Sequence, residues 1–198
     1  MIVYLHGFNS SPASHKARVF MEFLVARGLG SEFHCPELPP HPTDALRLIE
    51  SAVSGLDPAR LTFVGSSLGG FYATHFTERL GARAVLINPA ILPHVGLAGR
   101  LGPQQNLYTG ERWELTAADL DVWKSMVPPR IDPERYLLLL ETADEVLDWR
   151  DAARTYEGAR TAIRDGGDHS LQSFADHLPR ILAFAALAAL AALAAKRD

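Results

Sequence analysis

Gly65-Ser66-Ser67-Leu68-Gly69 is a G-x-S-x-G string. It lies between an apolar run, Leu61 to Val64, and a helical pattern, Gly69 to Leu80. Strand, sharp turn and helix in that order form a nucleophile elbow. The central serine of such an elbow takes a strained backbone conformation. Side chains at 65 and 69 would crowd the turn, which accounts for both glycines. Ser67 then presents its hydroxyl above the sheet at a helix N-terminus, where the helix dipole favours developing negative charge. Ser66 is the poorer nucleophile, because Val64 stands where its own motif would need glycine.

A serine hydroxyl needs a base. A nucleophile on such an elbow takes its partners in the chain order Ser, acid, His. Asp144 follows the apolar run Tyr136 to Leu140 and lies 77 residues after Ser67. His169 lies 25 residues further on, in the loop Gly166-Gly167-Asp168-His169-Ser170. That interval holds one helix and one strand. Among the other histidines, His177 and His75 fall inside helical patterns, and His6 braces the loop after the first strand. Asp148 is the rival acid, one helical turn beyond Asp144. Asp168 neighbours His169 in sequence and reads as a loop or cap residue. Acyl transfer also needs donors for the oxyanion. The expected pair is the backbone N–H of Leu68, just after the nucleophile, and that of Phe8, in the loop His6-Gly7-Phe8.

The elements that must hold these residues alternate along the chain. Strand-type runs stand at 2–5, 32–38, 61–64, 82–87 and 136–140, with a weaker one at 159–164. Helical patterns stand at 14–28, from Thr43 as N-cap through Val53, at 69–80, at 116–126, at 145–158, and from Leu171 onward. Unbroken apolar strands between helices imply an α/β fold: a mostly parallel sheet of about six strands, covered on both faces. Such sheets place sites at the carboxyl ends of strands. His6-Gly7-Phe8, Ser67, Asp144 and His169 all fall at predicted strand ends. Residues 90–133 break the rhythm and read as a lid-like insertion in a single domain, 1–198. Within it Trp113, Leu115, Leu120, Val122, Trp123 and Met126 line an acyl pocket or form ordinary core; the sequence leaves the two readings equal.

Composition sets the outer limits. Apolar residues at 47% and charged ones at 21% fit a globular chain and argue against disorder. A net charge of −4 offers no basic field for a phosphate backbone, so no nucleic-acid partner is expected. The single cysteine, Cys35, excludes an internal disulfide and reads as a small buried hydrophobe. There is no H-E-x-x-H string or carboxylate cluster, so neither a metal nor a cofactor is expected. The N-terminus has no charged region followed by a long apolar core, which points to a cytoplasmic protein. Ile181 to Ala195 is an uncharged Ala-Leu tract, shorter than the roughly 20 residues that span a bilayer. It reads as a terminal helix packed on the domain, with membrane contact not expected and oligomeric state open.

The stretches IVYLHGFNSSPASHKA, FVGSSLGGFYAT, INPA, NLYTGERW, ETADEVLDWR and GGDHSL run from Ile2 to about Phe174. Together they resemble the α/β-hydrolase superfamily and, within it, the small bacterial YqiA/YcfP-like esterases. The resemblance implies a compact hydrolase sheet lacking the first antiparallel strands. It also implies esterase activity on acyl esters or thioesters, with Ser67, Asp144 and His169 as the triad. The Ala-Leu tract departs from the usual ending of that family. The expected activity is that of a serine carboxylesterase on a small-molecule acyl ester. An acyl-CoA thioesterase is the alternative, for which Arg100, Arg112 and Lys124 offer scattered positive charge. A non-catalytic binding module on the same fold is the third reading.

Overall fold

A computed structural model describes residues 1–195, with side chains as far as Ala185. The chain starts in strand β1 (Ile2–Leu5) and runs through α1 (His15–Val25), β2 (Phe33–His34) and α2 (Pro42–Val53). β3 (Thr62–Ser66) leads directly into α3 (Leu68–Leu80), and β4 (Arg83–Ile87) follows. Next come the short α4 (Pro93–Gly96), strands β5 (Gly102–Gln105) and β6 (Arg112–Leu115), and α5 (Ala117–Ser125). β7 (Tyr136–Glu141), α6 (Trp149–Thr155), β8 (Arg160–Arg164) and α7 (Phe174–Ala195) complete it.

Six strands form one sheet in the order β2-β1-β3-β4-β7-β8, and every pair in it is parallel. β1, β3 and β7 are buried along their whole length, as strands covered on both faces must be. Alternate residues feed opposite faces. Val3, Leu5, Phe63, Leu86 and Leu138 pack with Ile49 of α2, Phe76 of α3 and Trp123 of α5. Ile2, Tyr4, Val64, Val85 and Leu139 pack with Phe20 and Leu24 of α1 and with Ile181 and Phe184 of α7. A one-residue slip would exchange these two sets, so burial fixes the register.

Several predicted boundaries move, and the strand expected over 32–38 shrinks to Phe33–His34. α2 starts at Pro42 with His41 as N-cap, not at Thr43; proline at the first helical position needs no N–H donor. Residues 145–148 form turns rather than the start of a helix. The Asp144 carboxylate accepts from the N–H groups of Val146 and Leu147, and Asp148 then caps α6 by accepting from Arg150 N–H. β5 and β6 form a separate antiparallel hairpin where the sequence reading places no strand.

Cys35 packs at the edge of the α1–α7 core, and burial pushes its thiol up to about 12. No helix among the described residues is long and apolar enough to cross a membrane. The expectation placed on the Ala-Leu tract falls, beyond Ala185, on side chains outside the described residues.

Candidate active site

Ser67 is the one-residue hinge between β3 and α3, and it holds φ 54°, ψ −120°. A residue with a side chain keeps that conformation only if its surroundings over-determine it. They do. Ser67 N–H donates to the Ile87 carbonyl at 3.0 Å, and its own carbonyl accepts from Gly70 N–H at 2.9 Å and Ala90 N–H at 3.0 Å. The flanking glycines follow from close approach: a Cβ on Gly65 would strike the Gly69 backbone, and one on Gly69 would strike the Leu5 carbonyl.

The loop after β8 brings His169 over this hinge. His169 Nε2 lies 2.9 Å from Ser67 Oγ. Its Nδ1 lies 2.8 and 2.9 Å from the two oxygens of Asp144, whose side chain is 1% exposed. Burial alone would raise the Asp144 carboxyl. Donation from His169 and from the N–H groups of Leu147 and Val146 outweighs it and holds the group below the usual carboxylate range. The ionised carboxylate therefore accepts a hydrogen bond from Nδ1–H, and Nε2 is left to accept from the Ser67 hydroxyl. The rival acid Asp148 sits at the N-cap of α6, and Asp168 turns back onto Ser170 and Gln172. His75 donates from Nδ1 to the Met126 carbonyl, and His177 bonds Ser173, so neither reaches Ser67.

Three residues that the sequence did not single out hold the His169 loop. Glu141, at the end of β7, is 1% exposed and accepts from four donors: the N–H groups of Asp168, Gln172 and Ser173 and the Ser173 hydroxyl. Burial pushes its carboxyl up, but those four donors outweigh it and the group stays below its ordinary value. Asn88 donates from Nδ2 to the carbonyls of Asp168 and His169, while its Oδ1 accepts from Glu141 N–H. Lys16 donates to the Ser170 carbonyl at 2.7 Å. Because Glu141 titrates lower folded than unfolded, its stabilisation is present above the unfolded pKa of about 4.3 and fades as pH falls through the folded value. Glu141→Gln is expected to cost about 2 kcal/mol at pH 7, since an amide turns N–H groups toward N–H donors. Urea unfolding at pH 7 and at pH 3 checks this, with a smaller difference between the two proteins expected at pH 3.

The loop after β1 lies against the nucleophile. A Cβ built on Gly7 would sit 3.4 Å from the Ser67 Cβ and 3.9 Å from its Oγ, which places the following Phe8 beside the site. Leu68 is the first residue of α3, so its N–H has no acceptor within the helix. His6 is 4% exposed; it accepts Leu38 N–H at Nε2 and donates from Nδ1 to the Gly7 carbonyl. Burial lowers its pKa, which fits a neutral ring with one donor and one acceptor.

A cleft of about 1070 Å³ opens over Ser67 and His169. Its apolar lining includes Val19, Ile91, Leu92, Leu97, Leu107 and Val146. None of the six residues weighed as an acyl pocket lines it. Leu115, Trp123 and Met126 are core, Leu120 and Val122 pack against that core, and Trp113 lies behind Phe8. Their apolar faces were already claimed by α2, α3 and the sheet. Of the three scattered basic residues, Arg100 lines the cleft and Arg112 and Lys124 do not.

Residues 1–186 match the family profile described as an uncharacterised protein family, UPF0227. The chain belongs to the UPF0227 family. A UPF0227 protein of Pectobacterium atrosepticum is 27% identical over 194 residues, covering 94% of this chain and 99% of that one. A UPF0227 protein of Yersinia pseudotuberculosis is 28% identical over 193 residues, with the same coverage of each. The YqiA-like resemblance seen in the sequence falls within UPF0227. Among solved structures, monoacylglycerol lipase from Paleococcus ferrophilus superposes with TM-score 0.66 at 16% identity, covering 94% of each chain. Mouse alpha/beta hydrolase domain-containing protein 10 gives TM-score 0.65 at 16% identity, covering 91% of this chain and 87% of that one. These likenesses show the fold: this UPF0227 protein has the α/β-hydrolase architecture, with Ser67 at the turn from β3 to α3.

Proposed function

We propose that this UPF0227 protein is a serine hydrolase that cleaves acyl esters through Ser67, His169 and Asp144. The observation that carries the reading is the unbroken chain of contacts Ser67 Oγ–His169 Nε2–His169 Nδ1–Asp144, built on a serine held at φ 54°. Neutral His169 takes the Ser67 proton as Oγ attacks the ester carbonyl carbon. The carbonyl oxygen becomes an oxyanion and is met by the N–H groups of Leu68 and Phe8. Asp144 stabilises the imidazolium. That imidazolium then gives its proton to the departing alcohol oxygen, leaving an acyl-Ser67 ester. Water, deprotonated by His169, attacks the acyl carbon; collapse of the second tetrahedral species returns the proton to Ser67 and frees the acid.

The cleft takes the acyl group. Its lining by Ile91, Leu92, Leu97 and Leu107 favours apolar chains. The first part of the insertion, residues 90–108, forms the lid side of the cleft, while the part from 113 onward packs into the core. An ordinary alcohol is the leaving group we propose first; an acyl-CoA thioesterase is the alternative, with Arg100 and Lys16 in the cleft lining but Arg112 and Lys124 outside it. Two measurements test the reading together. A fluorophosphonate probe is expected to label the protein at Ser67, located by peptide mass mapping. A 4-nitrophenyl ester series from acetate to palmitate is expected to give turnover with a chain-length optimum beyond acetate. No labelling and no turnover, acyl-CoA included, would leave a binding module on a hydrolase fold.

A further inference from the structure

The stretch NLYTGERW and the asparagine of HGFN belong to no step of the reaction above. In the structure they meet. Asn9 follows Phe8 and holds φ 52°, a left-handed conformation. Trp113 Nε1 donates to Asn9 Oδ1 at 2.8 Å, and Asn9 Nδ2 donates to Gln104 Oε1 at 3.3 Å. Leu107 N–H donates to the Asn9 carbonyl at 2.9 Å, and Asn106 Nδ2 donates to the Ser10 carbonyl at 2.8 Å. The Trp113 ring stands edge-on to Phe8, with centroids 5.5 Å apart. All four bonds run from the β5–β6 hairpin to two residues directly after Phe8. Asn106 also shapes the hairpin turn itself, its Oδ1 accepting from the N–H groups of Tyr108 and Thr109. The hairpin forms its own two-stranded sheet and adds no strand to the main one. An isolated two-stranded hairpin is marginal in water; this one is anchored by Leu115 in the core and by its bonds to the Phe8 loop, so the attachment supports both partners.

Resting on the serine-hydrolase reading, we propose that the β5–β6 hairpin is the scaffold of the oxyanion loop, with Asn9 and Trp113 the positioning residues that fix the Phe8 N–H. An oxyanion donor works only if it is held in place before charge develops, to within about 0.5 Å. A loop N–H has no neighbouring strand to hold it there, and the hairpin replaces that strand. The same hairpin lines the cleft through Leu107 and Tyr108, so an acyl chain lying on them touches the element that aims the donor.

Two variants isolate this role. Trp113→Phe keeps an aromatic ring beside Phe8 and removes the indole N–H. Asn9→Gly keeps the left-handed backbone and removes the amide. Each is expected to lower kcat on 4-nitrophenyl butyrate about tenfold with KM within twofold. Affinity for an alkyl boronic acid, which forms a tetrahedral adduct on Ser67, should fall by the same factor. The double variant should lose little more than Asn9→Gly alone, because both remove one contact. Amide hydrogen exchange at Phe8 and Asn9 should quicken in both. If an active wild type gives variants with kcat within twofold and unchanged exchange, the hairpin proposal falls while the hydrolase reading stands. Fully additive losses, or losses confined to KM, overturn it equally. An inert wild type that takes no fluorophosphonate overturns both. Should Trp113→Phe fail to fold, Asn9→Gly at wild-type thermal stability carries the test.

Discussion

Ser67→Ala is expected to lower kcat for ester hydrolysis by about 10⁶-fold, the loss seen when a serine hydrolase loses its nucleophile. The substitution removes one oxygen and leaves everything that shapes the hinge. The bonds that pin residue 67 use its N–H and carbonyl, to Ile87, Gly70 and Ala90, and none uses the hydroxyl. Alanine also keeps the Cβ that the Gly7 loop packs against. Thermal stability should therefore stay close to wild type, and the cleft should still bind substrate. The residual rate, about 10³ over uncatalysed hydrolysis, would come from the oxyanion donors and binding alone. Initial rates on the best 4-nitrophenyl ester, measured beside thermal unfolding of both proteins, decide it. Full activity in Ser67→Ala would move the nucleophile elsewhere.

The sequence made legible what local pattern encodes. β1, β3, β4 and β7 announce themselves because strands buried on both faces must be apolar throughout, and Ser67, Asp144 and His169 stand just beyond strand ends because parallel sheets open their sites there. The residues that were not legible act through distant partners. Glu141 closes the run YLLLL and looks like the first residue of a turn; its four donors lie 27 to 32 residues further on. A carboxylate at the end of a fully apolar strand was the available signal, since burial there demands several donors. Asn88 looked like a strand stop, yet its amide ties β7 to the His169 loop 80 and 81 residues away. The hairpin escaped for a different reason. β5 reads Gly-Pro-Gln-Gln, half of it exposed, and has no alternation to detect. Asparagine side chains, backbone and the Trp113 indole together hold it to the Phe8 loop.

Asp144→Asn is expected to lower kcat about 10⁴-fold, although the change exchanges one oxygen for one nitrogen. The direction of the new amide follows from its neighbours. Val146 and Leu147 both point N–H groups at Asp144 Oδ1, at 2.9 Å each. An asparagine keeps its oxygen there and turns its NH₂ into the place of Oδ2, 2.8 Å from His169 Nδ1. Two donors cannot share that contact, and Oδ1, 2.9 Å from the same Nδ1, already accepts from two N–H groups. The imidazole answers by moving its proton to Nε2, the nitrogen that must accept from Ser67. The variant then holds its base in the wrong tautomer and lacks the charge that stabilised the imidazolium. Wild type behaves differently across pH. Asp144, held below the usual carboxylate range, stays ionised well into acid, so loss of its charge should not limit kcat/KM at neutral pH. Nitrogen NMR of His169 side chains in the two proteins reads the tautomer directly. A proton on Nδ1 in wild type and on Nε2 in Asp144→Asn, together with the lost rate, is the expected result. A variant with wild-type kcat would make Asp144 a structural residue and leave His169 without its acid.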